Sequence, residues 1–174
     1  TVTKGPMSNA TVVAYGVNSG QLGGQIGTAT TDASGNFSLA VGNYAGPVML
    51  QASAGTYIDE ATGATVTMAP GDVITAVMPS MAAGTTLNGI QVTPVTAMAQ
   101  AMASHMAGGL TDANIAAASK AMGQYFAVSD ILHVPPMNPL VPGSGTGASV
   151  DSQNYGMTMA AMSKYAQTLG LSSS

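Results

Sequence analysis

Through the first half of the chain, apolar and polar positions alternate with a period of two. Phe37, Leu39 and Val41 alternate with Ser38 and Ala40, the pattern of a half-buried strand. Directly before them, Asp32, Ser34, Gly35 and Asn36 supply turn chemistry, with Gly35 free to take positive φ. The run 11–17 is β-branched and aromatic and reads as a good strand. Shorter strand candidates follow at 26–31, 48–52, 56–59, 64–68, 73–78 and 85–92, and Thr1-Val2-Thr3 reads as a strand entered midway. Gly, Asn and Pro turns separate these segments at the spacing of an antiparallel β-sandwich.

At Thr93-Pro94 the period changes to that of a helix. Thr93 suits an N-cap and Pro94 the first helical position. Val95, Met98, Met102, His105 and Met106 then recur at helical spacing up to Gly108-Gly109. A second helix is predicted over 112–126, capped by Thr111, with Ile115, Met122, Tyr125 and Phe126 on its apolar side. A Pro- and Gly-rich loop spans 133–149. A third helix is predicted over 151–169, with Tyr155, Met159, Met162, Tyr165 and Leu169 as its stripe, and 171–174 reads as a frayed tail. The expected organisation is a β domain over 1–92 and a helical subdomain over 93–174.

Charge narrows the partners. Only 6% of the 174 residues are charged, against about 25% in an ordinary globular domain, and there is no Arg. Lys4, Lys120 and Lys164 face seven acids, too few cations for a phosphate-tracking stripe, so nucleic acid is excluded as the expected partner. A surface so weakly charged repels copies of itself poorly, which points to self-association. No apolar run is long enough to span a membrane. The absence of cysteine excludes disulfides and thiol chemistry. The chain opens at Thr1, which reads as a processed product or an excerpt of a longer protein.

Two segments carry a family likeness. Gly5-Pro6 followed by Ala10-Thr11-Val12, and Thr31-Asp32 followed by Gly35-Asn36-Phe37-Ser38-Leu39, resemble the carboxypeptidase regulatory-like family over about the first 55 residues. Gly46-Pro47-Val48, Tyr57-x-Asp59-Glu60-x-Thr62-Gly63 and Val92-Thr93-Pro94-x-Thr96, with the Ala-rich helices after them, are similar to N-terminal modules of large bacterial surface lipoproteins. The resemblance implies an antiparallel transthyretin/Ig-like β-sandwich followed by a C-terminal three-helix subdomain, in an extracellular, cell-surface protein. It transfers no catalytic residue.

Candidate chemistry is sparse. His105 and His133 have no acid at helical ligand spacing and read as packed or solvent-facing histidines. Ser104 beside His105 points elsewhere on its helix. The 143–147 Gly-rich run has neither a preceding strand nor a following Lys, so it reads as a connector rather than a phosphate loop. Asp32, Ser34 and Asn36 alternate like calcium ligands, but Asn43 stands where the bidentate Glu belongs, and Asx-turn chemistry explains them without an ion; Asp59 and Glu60 form a second acidic pair. Met98, Met102, Met106, Met157, Met159 and Met162 read as adaptable core rather than copper ligands. Lys4 weakly suggests a Lys–Asn cross-link, and Asn9 and Asn36 stand in glycosylation sequons.

No catalytic residue, cofactor or metal site is expected. The chain reads as a non-enzymatic structural module for surface display, adhesion or self-assembly into a fibre or layer, its partner being another copy or another surface component. Thr1, Val2 and Thr3 are the expected assembly edge, open to β-augmentation. The alternative is a carbohydrate- or peptide-binding module using Tyr15, Tyr44 and Tyr57. An enzyme centred on His105 or His133 would need an acid or Ser within hydrogen-bond reach in a cleft.

Overall fold

The computed structural model describes residues 1–170, and the 171–174 tail lies outside the described residues. The fold is mixed α+β, with antiparallel strands first and three helices late in the chain. Four long strands form the main sheet: β1 (Thr11–Asn18), β2 (Gln21–Thr30), β4 (Gly46–Ser53) and β7 (Val73–Met81), in the order β2-β1-β4-β7. Two short ladders accompany it. One pairs β3 (Leu39–Ala40) with β8 (Thr86–Leu87), the other β5 (Thr56–Ile58) with β6 (Thr65–Thr67).

Period-two alternation divides the core into two layers. Val12, Ala14, Val48, Leu50, Ala52, Ile74, Ala76 and Met78 belong to the larger one, closed by Phe37, Leu39, Val41 and Leu87 around the β3–β8 ladder. The intervening residues Val17, Met49 and Val77 belong to the smaller layer, where the helices cover them.

Helix α1 (Pro94–His105) starts where its cap chemistry places it. The Thr93 hydroxyl accepts from Thr96 N–H, the Thr96 hydroxyl accepts from Thr93 N–H, and Pro94 opens the helix. The same Thr96 hydroxyl lies 2.8 Å from the Thr75 carbonyl oxygen, joining α1 to β7. Helix α2 (Asp112–Phe126) is capped by Thr111 as expected, and packs against α1 and β7. Helix α3 (Val150–Thr168) is capped by Ser149. It docks elsewhere, burying Tyr155 and Met159 in the larger core layer together with Ile131 and Leu132.

Several expected details are corrected. Helix α1 buries Val95, Thr96, Ala99 and Ala103 rather than its methionines, and Met98 and Met102 are 37% and 39% exposed. Small side chains win that face because α1 approaches both α2 and β7 closely. Tyr125, Tyr165 and Leu169 of the expected stripes are also exposed. The strands expected over 37–41 and 85–92 pair with each other as a ladder only at Leu39–Ala40 and Thr86–Leu87. The Val2 segment is no open strand, since Val2 forms a parallel bridge with Val92. The larger core layer draws residues from both sides of the 92/93 boundary.

Candidate assembly edge and ligand cleft

The expected assembly edge is closed within the monomer. Val2 N–H donates to Gly35 O (2.8 Å), Thr3 N–H to Val92 O (3.0 Å), and Val92 N–H to Thr1 O (2.9 Å). Val2 is wholly buried and Thr3 nearly so. Backbone groups already paired this way cannot also take an incoming strand.

The open edge is β2. Among the described residues, its backbone bonds run to β1 alone, leaving the outer row of N–H and C=O groups without a strand partner. The opposite sheet edge, β7, is plugged by side chains: Thr96 reaches the Thr75 carbonyl, and Asp112 accepts from Ser80 N–H at 2.8 Å. The sequence Gln21-Leu22-Gly23-Gly24-Gln25-Ile26-Gly27-Thr28-Ala29-Thr30 contains no charge and no proline, so it lacks two common guards of an edge strand. Register shifts at Ala14/Tyr15 and Tyr15/Val17 bend the pair near its Gly23-Gly24 end.

The three tyrosines do not share an open face. Tyr57 is 3% exposed, with Lys4 Nζ lying 5.7 Å from its ring centroid. Tyr44 packs on Gly16, where an added Cβ would meet its ring at 2.5 Å. Its hydroxyl accepts from Val17 N–H (2.8 Å) and reaches the carbonyls of Val17 and Pro47. Tyr15 packs against the smaller core layer. These are structural anchors, which corrects their expected role as ligand-facing residues.

The Asp32 turn is held by its own backbone. Asp32 Oδ1 accepts from Ser34 N–H (2.8 Å) and Asn36 N–H (2.9 Å), and Asn36 Oδ1 accepts from the Thr1 hydroxyl at 2.8 Å. Asp59 closes the β5–β6 hairpin similarly, accepting from the N–H groups of Ala61 and Thr62. Among the described residues no three His, Asp or Glu side chains converge as a metal site would require. Burial lowers the pKa of Lys4, opposed by the charges of Asp59, Asp72 and Glu60.

These turns predict an acid response. The N–H groups of Asn36 and then Ser34 hold the Asp32 carboxyl below its ordinary 3.8, and the Ser129 hydroxyl does the same for Asp151. A depressed folded pKa adds stability above the unfolded value, and that stability is lost as pH falls through the folded value. The urea midpoint of the wild type is therefore expected to fall below about pH 4, and Asp32→Asn to flatten that limb. Superimposable acid limbs for the two chains would remove Asp32 from the account.

The histidines differ from expectation in one respect. His105 Nδ1 lies 2.8 Å from Ala101 O and the Ser104 hydroxyl donates to the same carbonyl, so both finish the helix. His133 does have an acid at helical spacing: its Nδ1 is 2.7 Å from Asp130 Oδ2. That pattern, Asp130-x-x-His133, was legible in the sequence and was missed. Asp130 also accepts from the N–H groups of Leu132 and His133, so the exposed pair braces a turn.

A cleft of about 230 Å³ opens between the N-terminal segment and the strap Pro135-Pro136-Met137-Asn138-Pro139. The Ser34–Asn36 turn, Glu60, Gln91 and Met159 of α3 complete it. Gln91 is 3% exposed; its Nε2 donates to Gly89 O at 3.2 Å, while its buried Oε1 has no hydrogen-bond partner. Leaving such an acceptor unmade costs about 1–3 kcal/mol. Glu60 Oε2 accepts from the Ser163 hydroxyl at 3.0 Å, which fixes the carboxylate against α3. Comparison of the chain with protein-family models, curated proteins and solved structures finds no match.

Proposed function

We propose that this chain is a non-enzymatic structural module of a bacterial cell surface, built on a transthyretin-like sandwich and assembling with copies of itself through β2. The reading rests on one observation, the uncharged, outwardly unpaired β2 strand at the end of the main sheet. An antiparallel β2–β2 contact between two copies is self-complementary and closes as a two-fold dimer, continuing the sheet across both. Charge favours it, because ten residues without Lys, Glu or Asp carry no like-charge repulsion across such a contact. Surface display and adhesion are the roles that low charge and the lipoprotein likeness support. The Asp130–His133 pair serves as a turn brace in this account, without a catalytic role.

Light scattering tests it directly. Apparent mass is expected to double as the wild type is concentrated, and the double variant Gln25→Lys/Thr28→Lys to stay monomeric. Both positions are exposed, and because Thr28 also donates to the Val12 carbonyl at 3.2 Å, the double substitution is expected to cost about 1 kcal/mol of stability. A wild type monomeric at every concentration would sink the assembly reading. A second reading, a carbohydrate- or peptide-binding module, is favoured by the cleft between the N-terminal segment and the proline-rich strap.

A further inference from the structure

We propose that Asn88-Gly89 is a self-modifying site, at which Asn88 converts through a cyclic imide to aspartate and isoaspartate without an enzyme. This is independent of the β2 edge and of the cleft. The reaction asks for an asparagine side chain that is not tied down and can reach its own backbone. It also needs a following backbone nitrogen not engaged elsewhere, and a following residue without a side chain to crowd the ring. Asn88 is the one asparagine in the chain that glycine follows.

The turn after β8 meets each condition. Asn88 and Gly89 are exposed and lie outside the ladders. Among the described residues, neither the Asn88 side-chain amide nor the Gly89 N–H forms a hydrogen bond. Gly89 holds φ +68° without strain, and an added Cβ there would meet nothing within 4 Å, so no neighbour crowds the bend. The other asparagines each fail a condition. Asn138 precedes Pro139, which has no N–H to lose. Asn114 and Asn154 donate their amides to Gly109 O (2.7 Å) and Ala127 O (2.8 Å). After Asn9 and Asn43, the next N–H is held by Thr31 Oγ1 and Val41 O respectively. Asn18 and Asn36 precede Ser19 and Phe37, whose side chains crowd the ring.

The step balances with water as the sole co-reactant. The Gly89 nitrogen gives its proton to solvent and bonds to Asn88 Cγ. The Cγ–Nδ2 bond breaks, and that nitrogen takes a proton back and leaves as ammonia. Water then opens the imide on either side of its nitrogen. One opening restores the main chain with aspartate; the other routes the main chain through Cγ as isoaspartate. Nothing is oxidised or reduced. Either product adds a negative charge to a chain whose formal net charge is −4. Isoaspartate also inserts a carbon into the backbone between Leu87 and Ile90, both buried. The next two residues, Gln91 and Val92, give their N–H groups to Leu132 O and Thr1 O. A close-packed interior does not absorb that extra length, so isoaspartate strains the segment that closes the N-terminal edge.

The test is incubation of the folded chain in mildly alkaline buffer at physiological temperature, followed by intact mass, ammonia release and peptide mapping. The mass is expected to rise by a single amide-to-acid exchange mapped to Asn88. Hydroxylamine, which attacks imides, is expected to cut the chain between Asn88 and Gly89. Asn88→Gln enlarges the ring that must form and is expected to abolish both signals over the same period; the position is exposed, so the fold is retained. The isolated isoaspartate form is expected to unfold at lower urea than Asn88→Asp, which carries the same charge on an unaltered main chain. A folded chain that keeps its mass would overturn the proposal, and reaction in urea alone would show that the fold protects the bond. Modification mapped to other asparagines, or Asn88→Gln reacting as fast as the wild type, would overturn it too. An isoaspartate form as stable as Asn88→Asp would overturn the strain on the N-terminal edge.

Discussion

Tyr155→Ala is expected to lower the free energy of unfolding by about 3–5 kcal/mol, a large share of the 5–15 kcal/mol typical of a domain. Tyr155 has no exposed surface and is among the largest side chains wholly inside the protein. Its removal leaves an aromatic-sized cavity between α3, the start of α1 and the segment after α2. The hydroxyl adds a polar contribution of its own. It lies 2.7 Å from Thr93 Oγ1 and donates to Ile131 O at 2.9 Å, so one phenol ties the α1 cap to the Ile131 turn. Tyr155→Phe keeps the ring and orphans the Ile131 carbonyl, and is expected to cost about 1–2 kcal/mol. Burial raises the phenol's pKa above its ordinary 10.0, so it stays neutral in the fold. A raised pKa means this contribution is intact below pH 10 and is lost as pH rises beyond it, a loss Tyr155→Phe would not share. Urea unfolding of the three chains reads all of this. A Tyr155→Ala midpoint equal to the wild type would mean that α3 is not docked through this residue.

That junction shows which parts of the structure the sequence made legible. Thr93-Pro94 and Thr111-Asp112 announced two helix starts, because capping is local chemistry written in adjacent residues. The long strands β1, β4 and β7 were legible for the same reason. The buried face of α1 was not. Hydropathy favours Met98 and Met102, but the face packed against α2 and β7 buries Val95, Thr96, Ala99 and Ala103. Strand pairing for Val2 was equally hidden, since its partner Val92 lies far along the chain. At the cleft, Gln91 sits between the apolar Ile90 and Val92, where period-two alternation places it on the outward face. It is buried because Leu132 O accepts its N–H and the strap lies beside it, a tertiary fact without local signature. Asp130-x-x-His133, by contrast, was local and readable.

Gly156→Ala is expected to destabilise the protein by about 2–3 kcal/mol, against the usual sign for a helix glycine. In an exposed helix interior, alanine would add roughly 1 kcal/mol of stability through propensity. Here an added Cβ would lie 2.0 Å from Met137 O and 2.9 Å from its carbonyl carbon, both backbone atoms. Backbone cannot step aside as a flexible side chain can, so either the strap lifts from α3 or the helix shifts. The strap is held by the Ser152 bonds to Pro135 and Met137, and lifting it also strips Pro136 and Pro139 from the cleft. Overpacking therefore outweighs propensity. Gly123 of α2 follows the same logic more mildly, with Val128 O at 2.6 Å from its added Cβ. Urea unfolding measures the cost, and protease cleavage within 133–149 measures the lifted strap. A Gly156→Ala chain more stable than wild type would show that strap and helix do not touch there, and with that contact the preset wall of the cleft would go.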